Sequence, residues 1–190
     1  AGVQVGTAFA LARESGMESN TKKQILKTIV KEDMDVFTDP MCSPTGFPFK
    51  VLEMEGSLSD AQVYEDRPRA CSLGYLRDMY QKENGKLGFR CASEPLDAYV
   101  KKGGEIEATQ GRKCLCNALC ANVGMPQVNK GYTEEMLITI GDDVNKCRQF
   151  LKQDCNGDWG YGAKDVVDYI LSESKARGML KKEHIFVKKQ

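Results

Sequence analysis

The chain opens on an alternation. Val3 and Val5 flank Gln4, a pattern that predicts a short strand closed by Gly6-Thr7. Good helix formers fill residues 8–14, so the opening reads as strand, turn and helix start. Over residues 20–31, Ile25, Leu26, Ile29 and Val30 share one helical face, with Asn20 or Thr21 as the expected cap. Residues 34–38 read as a strand and residues 39–46 as a turn carrying Pro40 and Pro44. Strand and helix thus alternate through the first forty residues.

That texture breaks at Phe47. Through Asn129 the apolar runs shorten, Gly and Pro recur, and five of the eight cysteines appear. Short helices are expected at residues 61–65 and 94–101, the second with Pro95 in its first turn. Asn84-Gly85 predicts a hairpin turn between residues 78–80 and 87–90, because this pair tolerates positive φ at both positions. Order returns at Lys130. Residues 136–140 suit a strand, and Gly141-Asp142 lead into a helix carrying Val144, Cys147, Phe150 and Leu151. A last helix over residues 163–177 places Val166, Val167, Ile170 and Leu171 on one face, with Gly178 as its stop. The expected organisation is α/β at both ends around an irregular middle, divided as residues 1–50, 51–129 and 130–190.

Charge narrows the function classes. Lys+Arg and Asp+Glu both number 27, so no field of one sign steers the chain to nucleic acid or an anionic membrane. No segment approaches the roughly 20 apolar residues that span a bilayer. The opening apolar run lacks a basic leader and is broken by Gly2, Gly6 and Thr7, which argues against a signal peptide. A soluble, cytoplasmic protein with no nucleic-acid or membrane partner is expected. The first residue is Ala, in a run patterned like the middle of a strand, and this reads as an interior cut. Arg67, Arg69, Arg77, Arg90 and Arg112 are interleaved with Tyr75, Tyr80 and Phe89, a mixture that suits an anionic ligand or RNA. With neutral overall charge, surface pairing of these arginines with nearby acids is the better reading. The single histidine, His184, lies in a basic tail and reads as a solvated residue; Trp159, among glycines, reads as a loop anchor.

Eight cysteines without a signal peptide or a small secreted scaffold point away from a disulfide framework. Cys71, Cys91, Cys114 and Cys116 all fall in the irregular middle, where a small core struggles against ordering entropy. Four thiolates on one Zn2+ would supply that stability, because metal binding to an unformed site becomes folding free energy. Cys-x-Cys is less diagnostic than paired Cys-x-x-Cys, and Cys120 can stand in for any of the four. An iron–sulfur cluster and plain buried thiols are the alternatives. A further one is a reactive thiolate at Cys114 or Cys116, since Arg112 and Lys113 immediately precede them. Cys42, Cys147 and Cys155 read as structural.

A strand ending in Gly6-Thr7 at a helix start offers backbone N–H groups and a hydroxyl to an anion, with Gly6 allowing close approach; an ordinary turn is the other reading. The run Gly2-Val3-Gln4-Val5-Gly6-Thr7-Ala8-Phe9, followed by Glu14-Ser15, resembles a segment late in the barrel of the nitronate monooxygenases, formerly called 2-nitropropane dioxygenases. The likeness continues through Thr38-Asp39-Pro40, Ser43-Pro44-Thr45-Gly46-Phe47-Pro48-Phe49-Lys50, Arg90-Cys91, Glu94-Pro95, Gly111-Arg112-Lys113-Cys114-Leu115-Cys116-Asn117 and Gly141-Asp142-Asp143. These blocks are similar to a longer bacterial subgroup with an extended carboxy-terminal region.

The resemblance implies a (β/α)8 barrel that binds FMN without a covalent link. This chain would be its carboxy-terminal piece, followed by an irregular Cys-rich extension and terminal helices. Gly6 and Thr7 would hold the flavin phosphate, with Gln4 close to the flavin. The family's catalytic residue, typically a His acting as base, and its other flavin loops would lie upstream of Ala1 in a missing amino-terminal barrel portion. No catalytic residue is therefore expected within the chain, and the fragment alone is expected to be inactive. The implied activity is oxidation of a small nitronate substrate with dioxygen. Two rivals stand beside it: a flavin-dependent enoyl reductase, and a non-catalytic, metal-stabilised interaction module. A strand separated from a closed barrel has exposed edges, so the chain is expected to reorganise its first forty residues or to form a homo-oligomer.

Overall fold

The computed structural model describes residues 4–176 and 178. Val3 lies outside them, and Gln4, Val5 and Gly6 carry no strand pairing, so of the expected opening strand only an extended lead-in is described. It enters α1 (Thr7–Ala10), a single turn that stops well before residue 14. The second helix, α2 (Ser19–Lys31), buries Ile25, Leu26 and Ile29 as its periodicity predicts. Its cap differs from expectation. Glu18, two residues before Asn20, accepts from the N–H groups of Asn20 and Thr21 at 3.0 and 2.7 Å, because its longer carboxylate reaches past Ser19. On the buried side of α2, Lys22 Nζ donates to the carbonyls of Ala12, Arg13 and Ser15, closing the turn that leaves α1.

β1 (Val36–Asp39) pairs antiparallel with β2 (Phe49–Leu52). Residues 136–140, expected as a strand, run beside β2 with sparse bonding: Leu52 N donates to Ile138 O, Ile140 N donates to Lys50 O, and one bridge joins Val51 to Thr139. This layer divides the apolar interior, because successive side chains on a strand point to opposite faces. Leu52, Ile138 and Ile140 face a larger core shared with Ala8, Leu11, Ile25, Ile29, Tyr161 and Val166. Val51 and Leu137 face a smaller core with Cys42, Leu58, Leu115 and Ala118. The larger core thus joins residues 5–54 to residues 136–170.

Residues 144–150 form a 3₁₀ helix where an α-helix is expected. The spacing explains it. Val144, Cys147 and Phe150 stand three apart and are all buried, and a period of 3.0 puts them on a single line where 3.6 would fan them out. The last helix, α6 (Ala163–Ala176), buries Val166, while Val167 is turned outward, so the apolar face is narrower than predicted. Gly178 has φ +66, the left-handed conformation of a helix stop; Arg177 lies outside the described residues.

The middle contains α3 (Ala61–Asp66), the hairpin β3 (Asp78–Gln81) and β4 (Leu87–Arg90), α4 (Leu96–Lys101), and α5 (Leu115–Ala121). The hairpin forms where Asn84-Gly85 predicts it, but only Gly85 takes positive φ, and the Asn84 side chain instead accepts from Lys86 N. Two short pairs complete the set: β5 (Val128–Asn129) with β6 (Tyr132–Thr133), and β7 (Lys152–Gln153) with β8 (Trp159–Gly160). Half-buried Trp159 packs against the larger core, in keeping with an anchor. Among the described residues every strand pair is antiparallel and two-stranded, and no closed barrel forms.

Candidate functional site

Three segments far apart in the chain meet around a cavity of about 650 Å3. The lead-in to α1 contributes Gln4, Gly6 and Thr7; the approach to β2 contributes Phe47 to Lys50; the turn after residue 140 contributes Gly141 and Asp143. Its volume falls in the usual range for small-molecule sites, about 300–1,000 Å3. The walls differ in character. Phe47 and Phe49 meet edge to face with centroids 5.2 Å apart, forming an aromatic side. Gln4 and Thr7 add polar side chains to the lining, and Gly6 adds bare backbone. A side chain at Gly6 would meet nothing within 4 Å, so space is open directly over the start of α1.

Thr7 is not a free donor. Its hydroxyl donates to Asp143 Oδ1 at 2.5 Å and accepts from Gly141 N–H at 3.1 Å. A Cβ at Gly141 would come within 2.7 Å of both Thr7 Oγ1 and Asp143 Oδ1, so glycine is what lets this turn close on the threonine. The cation on the rim, Lys50, is paired with Asp142 at 2.5 Å in an exposed bridge. The N–H groups opening α1 have no intrahelical acceptor, and an anion in the cavity would face the Asp143 carboxylate that lines it. Spacing in the sequence singles out Gln4, Gly6 and Thr7, but not Thr139 or Asp143 as their neighbours; the pairing of residues 136–140 with β2 brings those in.

The four candidate thiols are gathered by a second set of bonds. Arg69, two residues before Cys71, donates to the carbonyl of Ala92, next to Cys91, and to that of Thr109. Ser72, beside Cys71, meets the amide of Asn117, beside Cys116. Cys91 and Cys114 are buried, Cys71 and Cys116 half-buried, and none of the eight cysteines is in a disulfide. Burial raises the Cys91 thiol; Ser93 opposes the rise, and Cys71 and Cys116 stand close enough to add to it. Among the described residues, no group of three or more His, Cys, Asp or Glu side chains is placed to hold a metal ion.

The reactive-thiolate reading finds no support at Cys114, whose thiol burial pushes up to about 12 against the opposing Asn117 N–H and Arg67. Its basic neighbours are committed elsewhere. Arg112 donates to the carbonyls of Met41 and Ser43, and Lys113 pairs with Asp39 at 2.9 Å. Cys42 and Cys147 are buried in the two cores, as structural cysteines should be, but Cys155 is exposed in the β7–β8 turn.

Nor do the arginines pair with surface acids. Arg67 makes a fully buried, two-pronged bond to Glu134. Arg90 lies between the rings of Tyr80 and Tyr99, 5.3 and 5.5 Å from their centroids, and donates to Lys102 O. Arg77 folds over Gly74. These guanidiniums fasten loops, mostly by holding backbone carbonyls, in a segment with few apolar residues to do so. His184 lies outside the described residues. Among the described residues no helix is long and apolar enough to cross a membrane. Comparison with protein-family models, with curated proteins and with solved structures finds no match.

Proposed function

We propose that this chain is the carboxy-terminal part of an FMN-dependent oxidoreductase of nitronate monooxygenase type, with the rest of its (β/α)8 barrel supplied by residues upstream. One observation carries the reading. The blocks Gln4–Phe9, Phe47–Lys50 and Gly141–Asp143 each resemble that family, are separated by as much as 130 residues, and converge on a single cavity. The cavity suits the two halves of a flavin nucleotide, an aromatic wall at Phe47 and Phe49 for the ring system and a polar turn at Gly6 for the phosphate.

Bound there, FMN would accept electrons from a nitronate and return them to dioxygen. The chain's own part is to bind and orient. Gly6 leaves the backbone open to the phosphate, and Gln4 stands where an amide can meet the flavin. Thr7 serves by holding the 141–143 turn against α1. Its hydroxyl would reach phosphate only by giving up Asp143, so contact through the α1 N–H groups is the more economical arrangement.

The test is made on the full-length protein. Nitronate-dependent oxygen uptake and about one FMN per chain are expected, while Gly6→Asp should lower flavin content at least about tenfold by setting a carboxylate in the phosphate position. Consumption of a nicotinamide donor with an enoyl substrate, without nitronate-driven oxygen uptake, would assign the enoyl reductase chemistry instead. A protein that holds no flavin, or holds it equally well with Asp at position 6, would overturn the proposal.

A further inference from the structure

A second cavity, of about 560 Å3, lies between the β3–β4 hairpin and the end of α4. Strand alternation builds one side of it. Tyr80 and Lys82, two residues apart, share a face, and the hairpin register sets Gly88 across from Tyr80 and Arg90 across from Asp78 on that same face. A Cβ at Gly88 would come within 2.5 Å of the Tyr80 ring and 2.9 Å of Lys82 Cε, so the bare backbone there is what lets both side chains lie across the hairpin. Lys101, Lys102 and Gly103 supply the other side. Arg90 joins the two, set between the Tyr80 and Tyr99 rings and donating to Lys102 O at 3.0 Å, its single hydrogen bond among the described residues. The carbonyls that end α4 are turned to other partners: Arg90 takes that of Lys102, and Gly103 N–H takes that of Val100.

Four cations, Lys82, Arg90, Lys101 and Lys102, line this cavity against one carboxylate, Glu83. Lys102 is paired with Glu94. Among the described residues Lys82, Arg90 and Lys101 form no ion pair, although Asp78 stands across the strands from Arg90. In a chain with 27 basic and 27 acidic residues this is a local excess. Cations lining one cavity repel one another, and an anion seated among them turns that repulsion into attraction. We infer that this cavity binds a diphosphate group, free or carried on a nucleotide. The Arg90 guanidinium, held flat by two rings, offers its remaining N–H groups in a fixed plane to one phosphoryl, and Lys82 and Lys101 approach as point charges on flexible stems. A single phosphate is too compact to serve all three. The volume is that of a small-molecule site, and the neutral balance of the chain favours a small ligand over a nucleic-acid strand. The site does not rest on the flavin reading.

Calorimetric titration of the full-length protein with sodium pyrophosphate tests it. Saturable binding at one site per chain is expected, weakened by salt, and it should persist in Gly6→Asp, which separates it from any phosphate held at the α1 turn. Lys82 and Lys101 are both exposed, so their glutamine variants should fold normally. Lys82→Gln and Lys101→Gln should each weaken binding about fivefold, while Lys31→Gln, outside the cavity, leaves it unchanged. ADP identifies the source: affinity no greater than that of pyrophosphate assigns the free diphosphate, and a gain of about tenfold or more assigns a nucleotide. Absence of saturable binding, equal affinity for orthophosphate, loss of the site in Gly6→Asp, or indifference to both lysine variants would overturn the assignment. So would a single-stranded RNA that binds through Lys82 and Lys101 and is not displaced by pyrophosphate.

Discussion

Replacing Glu134 by Gln should be among the most damaging single substitutions in the chain. Arg67 Nε and Nη2 donate to the two carboxylate oxygens of Glu134 at 2.5 and 3.0 Å, and the two side chains are 1% and 2% exposed. Glutamine keeps the shape and one acceptor oxygen but removes the charge, leaving a guanidinium buried without a counterion. Breaking a buried pair from one side costs about 3–5 kcal/mol, because the desolvation of the remaining ion is no longer offset. For a chain of this size each kcal/mol lowers Tm by roughly 2–4 °C, so a fall on the order of 10 °C is expected. The same logic makes a second prediction in the opposite sense. Removing both charges, as in Arg67→Met with Glu134→Leu, should recover most of the loss, since no ion is then left in the interior. Thermal and urea unfolding followed by circular dichroism measure both. If Glu134→Gln costs under about 1 kcal/mol, or the double variant is as unstable as the single one, the pair is not the buried electrostatic clamp described.

Other consequences can be checked separately. Asp143→Asn keeps an acceptor for Thr7 but removes a negative charge from the cavity wall that would face a bound phosphate. At solvent-like screening that is worth about 1 kcal/mol, so the full-length protein should bind FMN roughly five- to tenfold more tightly, as read by fluorescence titration; unchanged or weaker binding would place the phosphate elsewhere. Asp39 is worked upward by burial, but the Lys113 ammonium and the N–H groups of Met41 and Cys42 outweigh this and hold it below its ordinary value. Its contribution to stability is therefore present above the unfolded value of about 4 and lost as pH falls through the lower folded one. Asp39→Asn should flatten that acid limb in pH-dependent unfolding while lowering stability at neutral pH; an unchanged acid limb would refute it. Lys130 takes φ +50 beside Gly131 at +85, the conformation of a two-residue hairpin turn that favours Asn-Gly. Lys130→Asn should raise stability by about 0.5–1 kcal/mol, and a loss in chemical denaturation would count against the turn.

Much of the apolar framework is legible in the sequence because it depends on local periodicity. Ile25, Leu26 and Ile29 mark α2, and Asn84-Gly85 marks the hairpin, since each signal lies within a few residues of what it specifies. The departures have physical causes of longer reach. Val144, Cys147 and Phe150 fit α-helical spacing loosely and 3₁₀ spacing well, and only their shared burial separates the two. Glu18 caps from outside the expected window because its side chain is longer than that of the usual capping residues. The arginines look like surface charges in a neutral sequence; nothing local shows that their acceptors are carbonyls as far as 71 residues away. At the cavity, Gly6 and Thr7 are visible as a strand–helix junction, but the Asp143 partner that qualifies the role of Thr7 comes from 136 residues further on.

The same contacts join the two candidate sites. Arg112 and Lys113 immediately precede Cys114 and Cys116, and they reach away from the sulfurs to hold the turn between β1 and β2. Arg112 bonds the carbonyls of Met41 and Ser43, Lys113 bonds Asp39, and the Lys113 N–H bonds Cys42 O at 2.8 Å. That turn leads directly into Phe47 and Phe49, the aromatic wall of the cavity. Ordering residues 112–116 therefore restrains the wall as well as the middle segment. Arg112 and Lys113 thus fix one side of the cavity, so the Cys-rich segment supports the cavity and is not a separate appendage.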